Sequence, residues 1–248
     1  MIFDYDNFAT KKTWRFSCFI VFIVTVMGNI SESAGQNKYE LSFKTEIPIL
    51  TAGTSLSAIG LYLMKNTKPL ELKRIYELNC ENINAIDQVA CTKYSPEMDR
   101  WSDFGLAASV LLPVSLAFSS KVRSEFSNFG LLYFENLLLT SAGVTISKGL
   151  FRRIRPLTYN DDVPYERKID NSDLRHSFYS GHTSIAFSSV VFFAAVYDRY
   201  YQRSKWRPYV WGGSLVLGSS VGILRILAGK HFPTDVIVGA IMGGVTGR

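Results

Sequence analysis

Three short polar segments between Lys148 and Asp235 carry the residues whose types and spacing suit catalysis. In the last segment His231 precedes Asp235 by four residues, a spacing at which the carboxylate can accept the imidazole Nδ1 hydrogen. The other ring nitrogen, Nε2, is then left as a nucleophile. Arg225 precedes the pair and can reach the same pocket. The alternative is that Asp235 only complements a helix dipole and that His231 is a surface residue.

The middle segment, Ser180-Gly181-His182, stands directly before an apolar stretch. Ser180 is a favourable N-cap, and the free N–H groups of a first helical turn attract anions together with the helix dipole. Gly181 lets the backbone approach an oxyanion closely. His182 is placed to give a proton to a leaving oxygen. An ordinary capped helix with an interfacial histidine is the alternative interpretation.

The first segment is cationic. Lys148 and Arg155 are seven residues apart. This is close to two turns of a helix at ~3.6 residues per turn, so we expect both to project from one side, with Arg152 on a similar face. A lysine point charge and a planar guanidinium together suit a phosphate group. A basic helix end that contacts lipid headgroups is the alternative. Together, the three segments place phosphate-binding cations, a capped anion site and a His–Asp pair on one predicted face.

The elements that must position these segments are apolar. They predict an all-α helical bundle of about six core helices that crosses a membrane several times. A soluble bundle of buried helices is the competing interpretation, because the mean hydropathy of +0.09 is modest for a membrane protein. The apolar runs occupy residues 47–64, 104–119, 129–151, 183–197, 209–227 and 232–246.

The order K-x6-R-P, S-G-H and R-x5-H-x3-D resembles the three-part signature of the type 2 phosphatidic acid phosphatase superfamily. That superfamily includes membrane lipid phosphatases, soluble bacterial acid phosphatases and vanadium haloperoxidases. The resemblance implies that His231 forms a phosphohistidine, that Asp235 orients it, and that His182 acts first as general acid and then as base. It implies no cofactor and no metal ion. The groups it implies for binding the phosphoryl oxygens are Lys148, Arg155, Arg225, the Ser180 hydroxyl and the Gly181 N–H.

These residues predict a metal-independent phosphatase that hydrolyses a lipid phosphate monoester or pyrophosphate. A soluble acid phosphatase or haloperoxidase-like enzyme is one alternative, and a non-catalytic membrane protein that binds anionic lipid is another. The net charge of +6 can also indicate a nucleic-acid-binding protein. We expect no nucleic-acid partner, because the basic residues cluster between apolar runs. The sequence leaves the identity of the lipid open.

Two regions outside the motifs carry further predictions. Residues 1–34 are predicted to be a signal peptide or an N-terminal anchor, because basic residues precede the apolar stretch 16–28. Residues 35–248 are predicted to form a single helical-bundle phosphatase domain. Cys80 and Cys91 bracket a short stretch predicted to be helical, where a disulfide and two free buried thiols are the alternatives.

The basic links at residues 120–127 and 199–207 are predicted to face the cytoplasm. The three motifs then face the periplasm of a bacterial cell whose inner membrane the protein spans. If the N-terminus is translocated, residues 47–64 must begin and end on the same side. If the N-terminus stays inside, residues 47–64 cross the membrane.

Overall fold

The apolar runs form long helices in the computed structural model of the protein, which describes residues 41–248. The predicted signal peptide or anchor, residues 1–34, lies outside the described residues. Within residues 41–248 the structure is helical and has no strand, which confirms the predicted all-α bundle. The long helices are α1 (Phe43–Lys65), α2 (Pro96–Leu111), α3 (Phe126–Phe151), α4 (Gly181–Tyr200), α5 (Arg207–Leu227) and α6 (Pro233–Thr246).

Short helices and 3-10 turns occupy the longer connections. Those between α1 and α2 are Leu72–Tyr76, Cys80–Asn82 and Ala85–Gln88. Those between α2 and α3 are Pro113–Phe118 and Ser120–Arg123. Those between α3 and α4 are Pro156–Thr158, Tyr165–Arg167 and Ser172–Arg175. In the first of these connections Cys80 and Cys91 are joined by a disulfide.

Several helices are long and apolar enough to cross a membrane. In the described part of the chain they are Phe43–Lys65, Pro96–Phe118, Phe126–Thr158 and Arg207–Leu227. Their exposed surfaces carry large apolar side chains such as Leu61, Phe104 and Val216. Lipid tails solvate such a surface, whereas water does not. The protein is therefore a multi-pass membrane protein, and the soluble-bundle interpretation is not supported.

Helix α4 is the central helix of the bundle. It packs against α2, α3, α5 and α6. Of its 20 residues, 12 are buried, including Ser184, Ser188 and Ser189. Because protein rather than lipid surrounds α4, its side chains can be small and polar without facing hydrocarbon. This position explains why α4 can bury several serines.

Helices α1 and α3 run side by side in the same direction. Gly53 of α1 lies against Leu138, and Leu63 lies against Gly149, so positions along the two helices rise together. Helix α1 therefore ends at the same end of the bundle as α3. Of the two alternatives for residues 47–64, this direction agrees with the one in which they cross the membrane.

The two basic links meet at one end of the bundle. The hydroxyl groups of Ser119 and Tyr201 are 2.5 Å apart, and Lys121 Nζ lies 4.8 Å from the centroid of the Tyr201 ring. These contacts bring residues 120–127 and 199–207 together, as predicted. The connections at the opposite end comprise residues 66–95, 152–180 and 228–232.

Candidate active site

His231 is buried immediately before α6, whose first turn contains Pro233 as predicted. Its Nδ1 lies 2.7 Å from the backbone carbonyl oxygen of Ser177. The nearest oxygen of Asp235 is 3.8 Å from Nδ1, so the predicted hydrogen bond to that carboxylate is wrong. A carbonyl oxygen can only accept, so it holds the proton on Nδ1 and leaves the lone pair on Nε2. The tautomer that a nucleophilic histidine needs is therefore set by the backbone.

Asp235 is fully buried and is occupied by other donors. Its Oδ2 accepts hydrogen bonds from the Ser177 hydroxyl at 2.6 Å and from the Phe232 N–H at 2.9 Å. Its Oδ1 accepts a hydrogen bond from Arg153 at 2.5 Å. Ser177 thus binds Asp235 through its side chain and His231 through its carbonyl. Asp235 orients His231 indirectly, through Ser177.

Three cations of the first and third motifs surround His231. Burial, and then the positive charges of Arg155, Arg225 and Lys148, lower the pKa of His231 well below its usual value. Arg155 and Arg225 are both buried. Such a concentration of positive charge around a neutral imidazole is suited to a phosphate group, which would offset the charges.

Carboxylates hold the two arginines in place. Arg155 donates to Asp173 Oδ1 at 2.9 Å and to the Asp173 carbonyl at 2.9 Å. Arg225 donates to Asp99 Oδ1 at 2.5 Å and to the Ser102 hydroxyl at 3.1 Å. Burial disfavours the charged form of Asp173, but its pKa is nevertheless lowered, because Arg155 lies beside it. Each guanidinium is therefore paired and oriented before a ligand arrives.

The expectation that Lys148 and Arg155 share one helix is wrong. Helix α3 ends at Phe151, and Arg152 takes the left-handed conformation with φ of 48°. Arg152 then donates from Nε to the Gly149 carbonyl, which remains free at the helix end. Arg155 lies beyond this point in extended backbone. The chain reversal after α3, and not helical periodicity, brings the two cations to the same site.

The start of α4 has the predicted form. Ser180 is the N-cap, and its hydroxyl oxygen accepts from the Thr183 N–H at 3.5 Å. A Cβ at Gly181 would lie 3.0 Å from Val144 and 3.6 Å from Lys148 Nζ. The Lys148 ammonium therefore lies beside the first turn of α4, and the tight contact that a side chain at Gly181 would make is with Val144. An anion at this helix start would meet backbone N–H groups and a cation together.

His182 lies in the same turn and is partly exposed, with 29% of its side chain accessible. Its Nε2 is 2.8 Å from Asp103 Oδ1 on α2. Burial, followed by the charge of Arg225, lowers the pKa of His182 to about 4, although Asp103 acts in the opposite direction. His182 is therefore neutral near pH 7 when no anion is bound.

The sequence does not identify several side chains that contact the predicted residues. Asp99 and Asp103 are four residues apart on α2, so they lie on one face. Ionisable residues in an apolar helix are functional candidates, so the position of Asp99 and Asp103 in α2 is the sequence signal by which they could have been found. The other side chains that the sequence does not identify lie in polar connections and follow no sequence pattern. They are Asp87, Arg153, Asp173 and Ser177.

Comparison with known proteins agrees with this site. Residues 129–248 match the model of the PAP2 superfamily. The bacitracin transport permease protein BcrC of Bacillus licheniformis is 36% identical over 81 residues, which are 33% of this chain. The chain spans 35% of the length of that curated relative. No solved structure matches the chain significantly. All three motif segments lie within residues 129–248, and this segment of the chain belongs to the PAP2 superfamily.

Proposed function

We propose that the protein is a membrane lipid phosphatase that hydrolyses a phosphate monoester or pyrophosphate through a phosphohistidine on His231, without a metal ion. One observation carries this proposal. His231 is buried and neutral, and the Ser177 carbonyl holds its Nδ1 proton, so that Nε2 keeps its lone pair among three cations. Lipid binding alone requires neither this tautomer nor this burial. The match of residues 129–248 to the PAP2 superfamily supports the same activity.

In the first step, Nε2 of His231 attacks the phosphorus atom and the bond to the leaving oxygen breaks. His182 donates its proton to that oxygen, so the lipid leaves as an alcohol or a lipid monophosphate. Lys148, Arg155 and Arg225 neutralise the phosphoryl oxygens as charge builds up on them. In the second step, His182 takes a proton from water, which attacks the phosphohistidine and releases inorganic phosphate.

His182 must be protonated at the start of the first step. Its pKa of about 4 in the ligand-free protein, caused by burial and by Arg225, leaves it neutral. A phosphate group brings negative charge next to His182 and raises its pKa. Substrate binding therefore supplies the protonated acid, and an empty site holds a neutral one.

We also propose that the site faces the periplasm of a bacterial cell, across the inner membrane from the two basic links. Short loops rich in lysine and arginine stay in the cytoplasm. Residues 120–127 and 199–207 lie together at the end of the bundle opposite His231. A lipid substrate in the outer leaflet of this membrane would reach the site from the side.

Phosphate release from a panel of lipids by the purified full-length protein in detergent tests the activity. The panel comprises phosphatidylglycerol phosphate, phosphatidic acid, a polyprenyl pyrophosphate and lipid A. We expect turnover of at least one lipid, no loss in a chelator, and inhibition by vanadate, which mimics the transferring group. Activation by magnesium together with complete loss in a chelator would contradict the proposed mechanism.

The nucleophile is tested separately by trapping the phosphoenzyme. The native protein should form an acid-labile, base-stable adduct with a radiolabelled lipid phosphate. His231→Ala should form none and should release no phosphate, while its elution from size exclusion stays unchanged. An adduct of the same stability in the His231→Ala variant would assign the nucleophile to another residue.

A further inference from the structure

We propose that the disulfide-closed loop of residues 80–91 positions His231, that Asp87 is its positioning residue, and that full turnover requires the loop to be oxidised. The proposal rests on the proposed function, because it concerns the placement of the nucleophile. The loop lies outside residues 129–248, which match the superfamily. Its link to His231 is a continuous set of hydrogen bonds.

Asp87 is the starting point of this set. It is fully buried in the short helix Ala85–Gln88. Its Oδ1 accepts from the Thr234 N–H at 3.0 Å, and its Oδ2 accepts from the Thr234 hydroxyl at 2.7 Å. Thr234 lies in the first turn of α6, where backbone N–H groups have no partner within the helix. The loop carboxylate therefore binds the start of the helix that follows His231.

Arg153 connects Asp87 to the active site. One of its terminal nitrogens donates to Asp87 Oδ2 at 2.7 Å, and the other donates to Asp235 Oδ1 at 2.5 Å. Asp235 in turn accepts from the Ser177 hydroxyl, and the Ser177 carbonyl accepts the Nδ1 hydrogen of His231. Each residue in the order Asp87, Arg153, Asp235, Ser177 and His231 is thus hydrogen-bonded to the residue before it. Removal of Asp87 would leave Arg153 with one carboxylate instead of two.

An apolar contact joins the loop to the same place. Ala90 and Cys91 are buried against Phe232, the residue next to His231. The Arg153 guanidinium lies 4.3 Å from the centroid of the same Phe232 ring. The disulfide to Cys80 closes the chain on both sides of Asp87. The disulfide therefore limits the conformational freedom of the segment that presents the Asp87 carboxylate to α6.

The charges of this network also bear on the nucleophile. Asp87 and Asp235 are two buried carboxylates that share one guanidinium, Arg153. The set keeps one negative charge in excess, and its member Asp235 lies 3.8 Å from His231 Nδ1, where that charge would stabilise the positive charge that develops on the imidazole during attack. Asp87→Asn removes that charge but keeps the shape of the side chain. The variant therefore separates positioning and charge from simple packing.

Kinetics of the full-length protein on its best lipid substrate tests the inference. Asp87→Asn should lower kcat by about tenfold, in line with the usual loss when support behind a reactive ligand is removed. KM should stay unchanged, because the phosphate-binding cations are untouched, whereas inhibition by vanadate should weaken with kcat, because vanadate mimics the group bonded to His231. Glu81→Gln is the matched control, since Glu81 is exposed in the same loop and its carboxylate binds only Asn79 among the residues described. This control should keep the native kcat.

A second variant tests whether Asp87 acts through Arg153. Arg153→Gln should lower kcat, and the double variant with Asp87→Asn should be no slower than Arg153→Gln alone. Thermal unfolding is measured in parallel. A purely structural role of Asp87 would lower Tm, and KM, kcat and vanadate inhibition would then all change together. Losses that multiply in the double variant would contradict the proposed route.

The disulfide is tested with a phosphine reductant. Cys18, the third cysteine of the sequence, is first replaced by serine so that the reductant acts on Cys80 and Cys91 alone. Reduction should lower kcat several-fold, to the value of a Cys80→Ser/Cys91→Ser variant, which should not respond to the reductant. Native kcat in both the reduced protein and Asp87→Asn would overturn this inference and leave the phosphatase proposal intact. A native protein that hydrolyses no lipid phosphate would overturn both.

Discussion

His182 and Asp103 form a hydrogen-bonded pair between two helices, with 2.8 Å between His182 Nε2 and Asp103 Oδ1. Asp99, one turn earlier on α2, binds Arg225 at 2.5 Å and Lys230 at 3.0 Å. Helix α2 thus supplies one carboxylate to His182, the proposed acid, and another to Arg225, a proposed phosphate-binding residue. Because α2 precedes the residues that match the superfamily, the site is completed by a helix outside them.

Loss of the Asp103 carboxylate is expected to shift the pH dependence of turnover. Asp103 raises the pKa of His182, whereas burial and Arg225 lower it. In Asp103→Asn the acid form of His182 in the substrate complex is therefore populated only at lower pH, and the alkaline limb of kcat should move to lower pH. We expect about a tenfold loss at pH 7, within the usual contribution of a general acid.

The matched control for this change is Glu97→Gln, because Glu97 is exposed on the same helix. Its pH profile should coincide with that of the native protein. Profiles of kcat from about pH 5 to about pH 9, which cover the pH range in which histidine titrates, provide the measurement. A uniformly lower profile without a shift of the alkaline limb would argue against Asp103 acting on the proton of His182.

Asp235→Asn is expected to lower both stability and rate. Every lone pair used at Asp235 faces a donor, from Arg153, Ser177 or Phe232. An amide would turn a donor toward one of these donors and leave part of a buried charge network unpaired. We expect a loss of about 3 kcal/mol in the free energy of unfolding.

Some turnover should remain in Asp235→Asn, because the Ser177 carbonyl still accepts the His231 Nδ1 hydrogen. Denaturant unfolding in detergent and phosphate release are measured on the same preparation. Asp161→Asn, at an exposed position, provides the control and should leave both unchanged. Native stability in Asp235→Asn would show that the network around Asp235 contributes little to folding.

Close packing of α1 on α3 makes a small addition at Gly60 unfavourable. A Cβ there would lie 2.5 Å from Thr145 Oγ1 and 2.6 Å from the backbone nitrogen of Ile146. The backbone of α3 cannot move aside locally, so Gly60→Ala should destabilise the protein by about 1–3 kcal/mol. Gly130→Ala on α3 is the control, since nothing lies within 4 Å of its Cβ position.

Gly130→Ala should be neutral or stabilising, because alanine favours a helix over glycine by about 1 kcal/mol. The two variants are compared by thermal unfolding in the same detergent. Equal Tm values would mean that α1 does not pack on α3 as the structure has it.

The orientation of the protein in the membrane is tested with single cysteines in a Cys18→Ser background whose Cys80–Cys91 disulfide is intact. Asp162 and Arg203 are exposed at opposite ends of the bundle. In intact cells with a permeabilised outer membrane, an impermeant maleimide should label Asp162→Cys and not Arg203→Cys. After lysis both should react. The reverse pattern in intact cells would place the active site in the cytoplasm.

The helices and the ends at which the motifs lie follow from local properties of the chain. Apolar runs of sufficient length become helices, Ser180 caps α4, and Pro233 begins α6. Each of these depends on neighbouring residues alone, through hydrophobic length, capping or a fixed φ angle. The expected helix through Lys148 and Arg155 failed because the chain leaves the helix at Arg152, and Pro156 disfavours helical backbone at Arg155.

By itself, the sequence determined that the three motifs lie at one end of the bundle, because each motif stands at a helix end and successive helices cross the membrane in opposite directions. Only the tertiary structure decided the partners of these residues. The His231 Nδ1 hydrogen is accepted by the Ser177 carbonyl, and a backbone oxygen has no residue-type signature. Asp103 reaches His182 across 79 positions of sequence. Such contacts depend on how helices pack, and the spacing of residues along one chain does not contain that information.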